Sequence, residues 1–274
     1  MTSTTRPSLL LEAVQDAARI AGAVAMRHYR SSFVVETKAD GSPVSIADRE
    51  AETAVRDWIT HRFPDDGIEG EEFGVARTDA RRKWIIDPID GTKTFVRGVP
   101  LWGTLIAVLE GAEVLAGAIF CPAVDELIAA APGEGAWWNG SRCSVSTVDR
   151  IDRATVLTSS DYRVGDEARR DAWRDLSYRA LVSRTWGDCY GYLLVATGRA
   201  DVMADPRMAV WDAAPLLPII EEAGGVFTDW SGARTVFGGS AIATNAILAD
   251  EVRALLLAEH PGSKFRTDPA DATD

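Results

Sequence analysis

Histidine and cysteine are both scarce in this chain, with three of each among 274 residues. Cys121, Cys143 and Cys189 lie far apart and form no CxxC pair, which excludes a zinc knuckle. A low, odd count fits a reducing compartment, so a cytoplasmic protein is expected. His28, His61 and His260 share no metal-ligand spacing and read as structural or surface residues. No run is apolar for long enough to cross a bilayer, and the first residues hold no apolar signal core. Positive charge is also short, with 29 Lys and Arg against 41 Asp and Glu, a net charge of -12. Such a surface repels nucleic acid and anionic membrane, so neither is an expected partner. Internal repeats and low-complexity blocks are absent.

What is present suits a globular protein: 46% of residues are apolar and 26% charged, enough for one large or two medium domains. Leu10, Val14, Ala17, Ala21, Val24 and Ala25 recur at helical spacing over 8–30. A second helix begins near Ser45, with Ala47, Ala51, Val55, Trp58 and Ile59 on one face. It stops at the turn residues Pro64-Asp65-Asp66-Gly67. From 84 to 147 the pattern becomes β-prone, with runs at 103–110, 113–121, 126–131 and 136–146. Gly111-Ala112, Pro132-Gly133 and Asn139-Gly140 separate them as hairpin signals. An antiparallel meander laid against the two helices is expected. Beyond 150 the pattern alternates: strands at 154–159, 200–204, 226–229 and 241–244, helices at 166–176, 188–197, 212–223 and 247–259. This divides the chain into an α+β part over 1–147, a layered α/β part over 148–260, and a frayed polar tail over 261–274. The Gly- and Pro-bearing segment 30–45 has the composition of a lid.

The chemistry concentrates at Trp84-Ile85-Ile86-Asp87-Pro88-Ile89-Asp90-Gly91-Thr92. An apolar run ends in a carboxylate, a Pro turn breaks the strand alternation, and a second carboxylate follows. Asp87 and Asp90 can then face one ion, with the Ile89 carbonyl adding an oxygen. Hard oxygens of this kind suit Mg²⁺. Several carboxylates support two ions that clamp a phosphoryl group. Gly91 lets the backbone approach phosphate closely, and Thr92 offers a hydroxyl to orient water. Asp212, in Trp211-Asp212-Ala213-Ala214, stands at a helix start and is either an N-cap or a ligand that closes a cleft between the two parts. Gly70-Glu71-Glu72 lies just upstream of the aspartates; such a pair alone reads as solvated surface. Asp48, in a first helical turn, alone reads as a surface charge favoured by the dipole. Lys38 reads as an exposed loop residue. Trp186 and Trp211 are placed in the cleft.

These blocks together resemble the inositol monophosphatase family over nearly the whole chain, joined by Glu222-Ala223-Gly224-Gly225-Val226. The resemblance implies a five-layer αβαβα sandwich of the inositol monophosphatase and fructose-bisphosphatase type. It also implies Mg²⁺-dependent phosphomonoester hydrolysis with two or three ions, Li⁺ sensitivity and a homodimer. Carried onto these residues, it makes Glu71, Asp87, Asp90, Asp212 and the Ile89 carbonyl metal ligands, all but Asp87 also contacting substrate. Gly91 and Thr92 hold phosphate, and Asp48, Glu72 and Thr92 place the attacking water. Within the family the chain is most similar to histidinol-phosphate phosphatases of actinobacterial type, through residues 90–103 and Arg184-Thr185-Trp186-Gly187-Asp188-Cys189-Tyr190-Gly191-Tyr192. Inositol phosphatases usually have Gly-Thr followed by Ala where this chain has Gly187-Asp188-Cys189. Their substrate-binding Glu, seven residues before the last metal Asp, is Asp205 here. Histidinol carries an ammonium group, which Asp188 and Asp205 would pair, while Arg184 would orient the substrate; a helix cap is the other reading of Asp188. The expected activity is hydrolysis of L-histidinol phosphate. The alternatives are an inositol-1-phosphate or relaxed sugar-phosphate phosphatase, or a non-enzymatic interaction module.

Overall fold

The computed structural model describes residues 8–31, 35–37, 43–160 and 167–257. Lys38, His260 and the tail over 261–274 lie outside them, as does much of the expected lid. Its described parts are β1 (Val35–Thr37) and β2 (Pro43–Ser45), which pair as an antiparallel hairpin.

The first helix, α1 (Leu9–His28), starts where the Ser8 hydroxyl accepts the Leu11 N–H at 3.2 Å. The second, α2 (Ile46–Arg62), starts at Ser45 with a capping box: Asp48 Oδ2 accepts the Ser45 N–H at 2.8 Å. Both helices lay their apolar stripes on one face of a large sheet. Its strands are β3 (Gly67–Gly70), β4 (Gly74–Ala76), β5 (Arg82–Asp90), β6 (Gly103–Glu110), β7 (Glu113–Cys121), β8 (Glu126–Ala131), β9 (Gly135–Trp138) and β10 (Ser141–Arg142). They run in the order β10-β9-β8-β7-β6-β5-β3-β4, a meander from β5 to β10 with β3 added parallel to β5.

Strand alternation divides the core. Ile86, Ile106, Val108, Ala116 and Ala118 face α1 and α2, whereas Ile85, Leu105, Ala107 and Ile119 face the opposite way. That opposite face meets a layer of helices: α5 (Asp188–Ala196), α6 (Val210–Ala213) and α7 (Leu216–Glu222). Beneath them lies a second sheet of β11 (Thr155–Leu157), β12 (Val182–Arg184), β13 (Val202–Asp205), β14 (Val226–Thr228) and β15 (Ala241–Thr244), in the order β12-β11-β13-β15-β14. Its far face packs Val156, Val202 and Ile242 against α4 (Glu167–Arg179) and α8 (Ala249–Leu256). The layers therefore run helix, sheet, helix, sheet, helix, as expected. The short helix α3 (Thr92–Val96) follows β5 directly.

Two expectations change. The helix read over 212–223 is two, α6 and α7, because Pro215 has no N–H to continue the ladder. The short strands β3, β4 and β12 were not read. The α6–α7 break is pressed onto the large sheet: a Cβ built on Gly117 would come 2.5 Å from the Pro215 carbonyl oxygen. Close packing there sets the height of α6 above β5. Gly117→Ala is therefore expected to cost about 1–3 kcal/mol through overpacking. That lowers Tm by about 3–10 °C in differential scanning calorimetry; an unchanged Tm would contradict this packing.

Candidate metal centre

The ladder between β5 and β6 pairs Asp87 with Leu105 and then jumps to Asp90 with Gly103. Pro88 lacks a donor for the missing step, and its carbonyl accepts the Thr104 hydroxyl at 2.9 Å instead. The Ile89 N–H turns back to Asp87 Oδ1 at 3.0 Å. This irregularity brings two carboxylates, three residues apart, to one side. Asp212 reaches them from the first turn of α6. Carboxylate oxygens of Asp87, Asp90 and Asp212 lie within 4.8 Å of one another. Asp212 also accepts the Ala209 N–H at 2.8 Å, so it caps the turn and joins the cluster at once.

Glu71 follows β3, and its N–H donates to the Ile86 carbonyl at 3.1 Å. Its carboxyl group hydrogen-bonds Asp87 and adds charge beside Asp212. Burial first, then Glu71 and Asp90, push the Asp87 pKa well above the ordinary aspartate range. Burial, then Asp188 and Asp212, do the same to Asp90. Burial takes Asp212 up to about 7. Acids crowded out of water and against each other are stable only when protonated or when a cation neutralises them. All these donors are hard oxygens, so the cluster fits a hard divalent metal ion.

Gly91 leaves β5 in the left-handed region at φ +83° and opens α3. The Thr92 hydroxyl donates to the Ile89 carbonyl at 3.1 Å. Asp48, which alone reads as a surface charge but which the resemblance places beside the attacking water, is buried. Its Oδ2 holds both the N–H and the hydroxyl of Ser45, and burial raises its pKa beside Glu71. Glu72 donates its N–H to Glu52 Oε2 at 2.8 Å, in the turn that carries Glu71.

The second sheet supplies the other wall. Asp188 begins α5 at φ +53°, a costly conformation for a residue with a Cβ. Gly187 takes the N-cap position with no side-chain cap, so the cap reading of Asp188 gives way. Its carboxylate lies against Gly91, where a Cβ would come 3.0 Å from Oδ2, and accepts the Thr94 hydroxyl at 3.4 Å. Burial, then the charge of Asp205, raises its pKa to about 6. The next N–H, of Cys189, donates to Asp90 Oδ2 and ties the two halves together. Asp205 accepts from the Ser159 N–H and hydroxyl, each at 2.9 Å, from Tyr192 at 3.1 Å and from Thr158 at 3.3 Å. Those four donors fill its oxygens, so it braces the wall rather than presenting a free carboxylate.

A cavity of about 250 Å³ opens between the walls, lined by Asp90, Asp188, Tyr192 and Asp212, with exposed Lys93 and Arg207 also on its lining. Arg184, expected to orient the substrate, is not among the lining residues. It is exposed on β12 and donates to the Ser183 carbonyl at 2.7 Å. Trp186 is 43% exposed and Trp211 packs on the middle core, so neither lines the cavity either. Ser159, Ser160, Arg207 and Met208 also line it, outside the motifs of the sequence. Their one sequence signal is adjacency to strand ends, Ser159 after β11 and Arg207 after β13.

A profile described as the inositol monophosphatase family matches residues 7–261. A histidinol-phosphatase from Chlorobaculum parvum is 42% identical over 241 residues, 86% of this chain and 93% of that protein. Another from Mycobacterium tuberculosis is 42% identical over 80% of this chain and 86% of its own length. The solved structure of an IMPase from Thermotoga maritima superposes with a TM-score of 0.82 at 32% identity, covering 90% of this chain and 96% of its own. The extragenic suppressor protein suhB from Bartonella henselae gives a TM-score of 0.83 at 28% identity, covering 91% and 98%.

The raised acids set the sign of a pH dependence in a chelating buffer. Their ordinary value is 3.8, against about 6 for Asp188 and about 7 for Asp212 in the fold. Folding favours their protonated forms, so this stabilisation is complete below about pH 4 and is lost as pH rises through both folded values. Calorimetry in chelator should show Tm falling by about 5 °C between about pH 5 and pH 8, with a shallower fall for Asp212→Asn. A Tm that rises across that interval would contradict the crowding of acids described above.

Proposed function

The chain belongs to the inositol monophosphatase family, and we propose that it is a Mg²⁺-dependent phosphatase that converts L-histidinol phosphate to L-histidinol and phosphate, a step of histidine biosynthesis. Glu71, Asp87, Asp90, Asp212 and the Ile89 carbonyl would hold two or three Mg²⁺ ions. When bound, the ions supply positive charge and Lewis acidity at the phosphoryl oxygens. Gly91 and Thr92 direct backbone N–H groups at the phosphate. The Thr92 hydroxyl and the Glu72 carboxylate orient the attacking water. Its proton passes to Glu72, or through Thr92 toward Asp48, whose buried carboxylate has a raised proton affinity suited to a base. Attack runs in line with the ester oxygen, which leaves as the alkoxide and takes a proton from water.

The observation that carries the substrate assignment is Asp188. Its carboxylate lines the cavity beside Gly91, and Asp205, the other acid of that wall, is already filled by four donors. A half-buried carboxylate holding one long hydrogen bond, from Thr94, favours a substrate that brings a cation and a donor. Histidinol brings an ammonium group; inositol and simple sugar phosphates bring none. Relatives named histidinol-phosphatase support the same reading. Clustering of the acids supports an enzyme over an interaction module. In this proposal 1–147 and 148–260 are two parts that close on one cleft, and, on the family resemblance, the protein is a Li⁺-sensitive, cytoplasmic homodimer.

Phosphate release with Mg²⁺, compared on L-histidinol phosphate and inositol 1-phosphate, tests it. The expected kcat/KM favours histidinol phosphate, and Asp188→Asn lowers it about 10- to 100-fold on that substrate alone. A preference for inositol phosphate, or an equal loss on both, would overturn the assignment.

A further inference from the structure

Glu52 lies on α2, one helical turn beyond Asp48, and its side chain is wholly buried. Hydrophobic patterning gives no reason for an acid there. Its two oxygens accept from three donors. Oε1 takes Arg56 Nε at 2.7 Å and the Phe73 N–H at 3.2 Å; Oε2 takes the Glu72 N–H at 2.8 Å. Arg56 also donates to the Gly74 carbonyl, on the far side of the same turn.

The carboxylate fits only because residue 70 is glycine: a Cβ there would come 2.1 Å from Glu52 Oε1 and 2.5 Å from its carboxyl carbon. The Gly70-Glu71-Glu72 sequence thus has a physical cause on the opposite element. Three successive N–H groups of the turn are held from two sides. Glu71 is held by the Ile86 carbonyl of β5, next to Asp87, while Glu72 and Phe73 are held by Glu52.

We infer that Glu52 is a positioning residue of the metal centre: it clamps the backbone of the 70–74 turn and so fixes where Glu71 and Glu72 stand relative to Asp87. This rests on the reading that Glu71 helps hold the ions. The role needs a carboxylate. All three partners donate, so the amide of glutamine would aim its NH₂ at another donor, with almost no change in shape. Outer groups that orient metal ligands influence affinity about 10- to 100-fold when altered.

The test is direct titration of Mn²⁺ into the full chain by calorimetry, for wild type and Glu52→Gln, with Tm in chelator recorded for both. Glu52→Gln is expected to weaken Mn²⁺ binding about 10- to 100-fold. Phosphate release should then need correspondingly more Mg²⁺, and kcat should stay below wild type even at saturating Mg²⁺, because the same turn carries Glu72. Equal Mn²⁺ affinity, even with a lowered Tm, would overturn the inference and leave Glu52 a packing residue. Gly70→Ala, whose methyl group displaces the carboxylate without removing it, should weaken Mn²⁺ binding in the same direction; unchanged affinity there is equally fatal. Failure of wild type to bind Mn²⁺ would instead sink the metal reading itself, and the inference with it.

Discussion

Mutual repulsion among clustered carboxylates, Asp87 buried and Asp90 and Asp212 half-buried, is the constraint on which the rest of the molecule depends. Asp87 and Asp90 sit at the end of a central strand and Asp212 on a helix more than a hundred residues later, yet their oxygens converge within 4.8 Å. Such an arrangement opposes folding unless charge is neutralised. The architecture holds it through groups that do not titrate. Cys189 N–H grips Asp90, Ala209 N–H grips Asp212 and Ile89 N–H grips Asp87. The flat contact between Gly117 and Pro215 fixes α6 over the sheet. The two sheets meet through one shared layer of helices, and the acids collect where that layer reaches the end of β5.

Glycine and backbone conformation carry much of the site's geometry. Gly91 is left-handed and lies against Asp188, while Gly187 is held so close to Ser159 that a Cβ would come 2.3 Å from its Cα. Asp188 itself sits at φ +53°. Strain of this kind persists only where surrounding contacts impose it. Here the Asp188 N–H donates to the Ser159 hydroxyl at 2.8 Å, and Ser159 is in turn held by Asp205. The second sheet therefore acts as a brace that aims one acid into the cavity.

Much of this was legible in the sequence because the signals are local. Strands β6, β7, β8 and β15 lie where alternation and turn residues place them. The Pro turn between Asp87 and Asp90 announces the broken register that brings the two together. Other features depend on partners distant in the chain. The short strands β3 and β12 are defined by pairing with β5 and β11, partners distant in the chain, rather than by an apolar run of their own. Pro215 splits a helix whose apolar pattern runs straight through it. Asp48 alone looks like a solvent-facing charge, yet it is buried and accepts from its own N-cap Ser45, whereas Glu52 is a buried acceptor only because the 70–74 turn packs above it. The surroundings of Asp205 and Arg184 likewise depend on distant segments. Four donors from other segments fill Asp205, and the β12 edge turns Arg184 to solvent.

The most direct measurement is the anomalous difference density of a crystal grown or soaked with Mn²⁺ as a substitute for Mg²⁺. A strong peak is expected between Asp87, Asp90 and Asp212, about 2.0–2.3 Å from their nearest oxygens. Carboxylates that remain apart with no peak between them, at ion concentrations that support phosphate release, would contradict it.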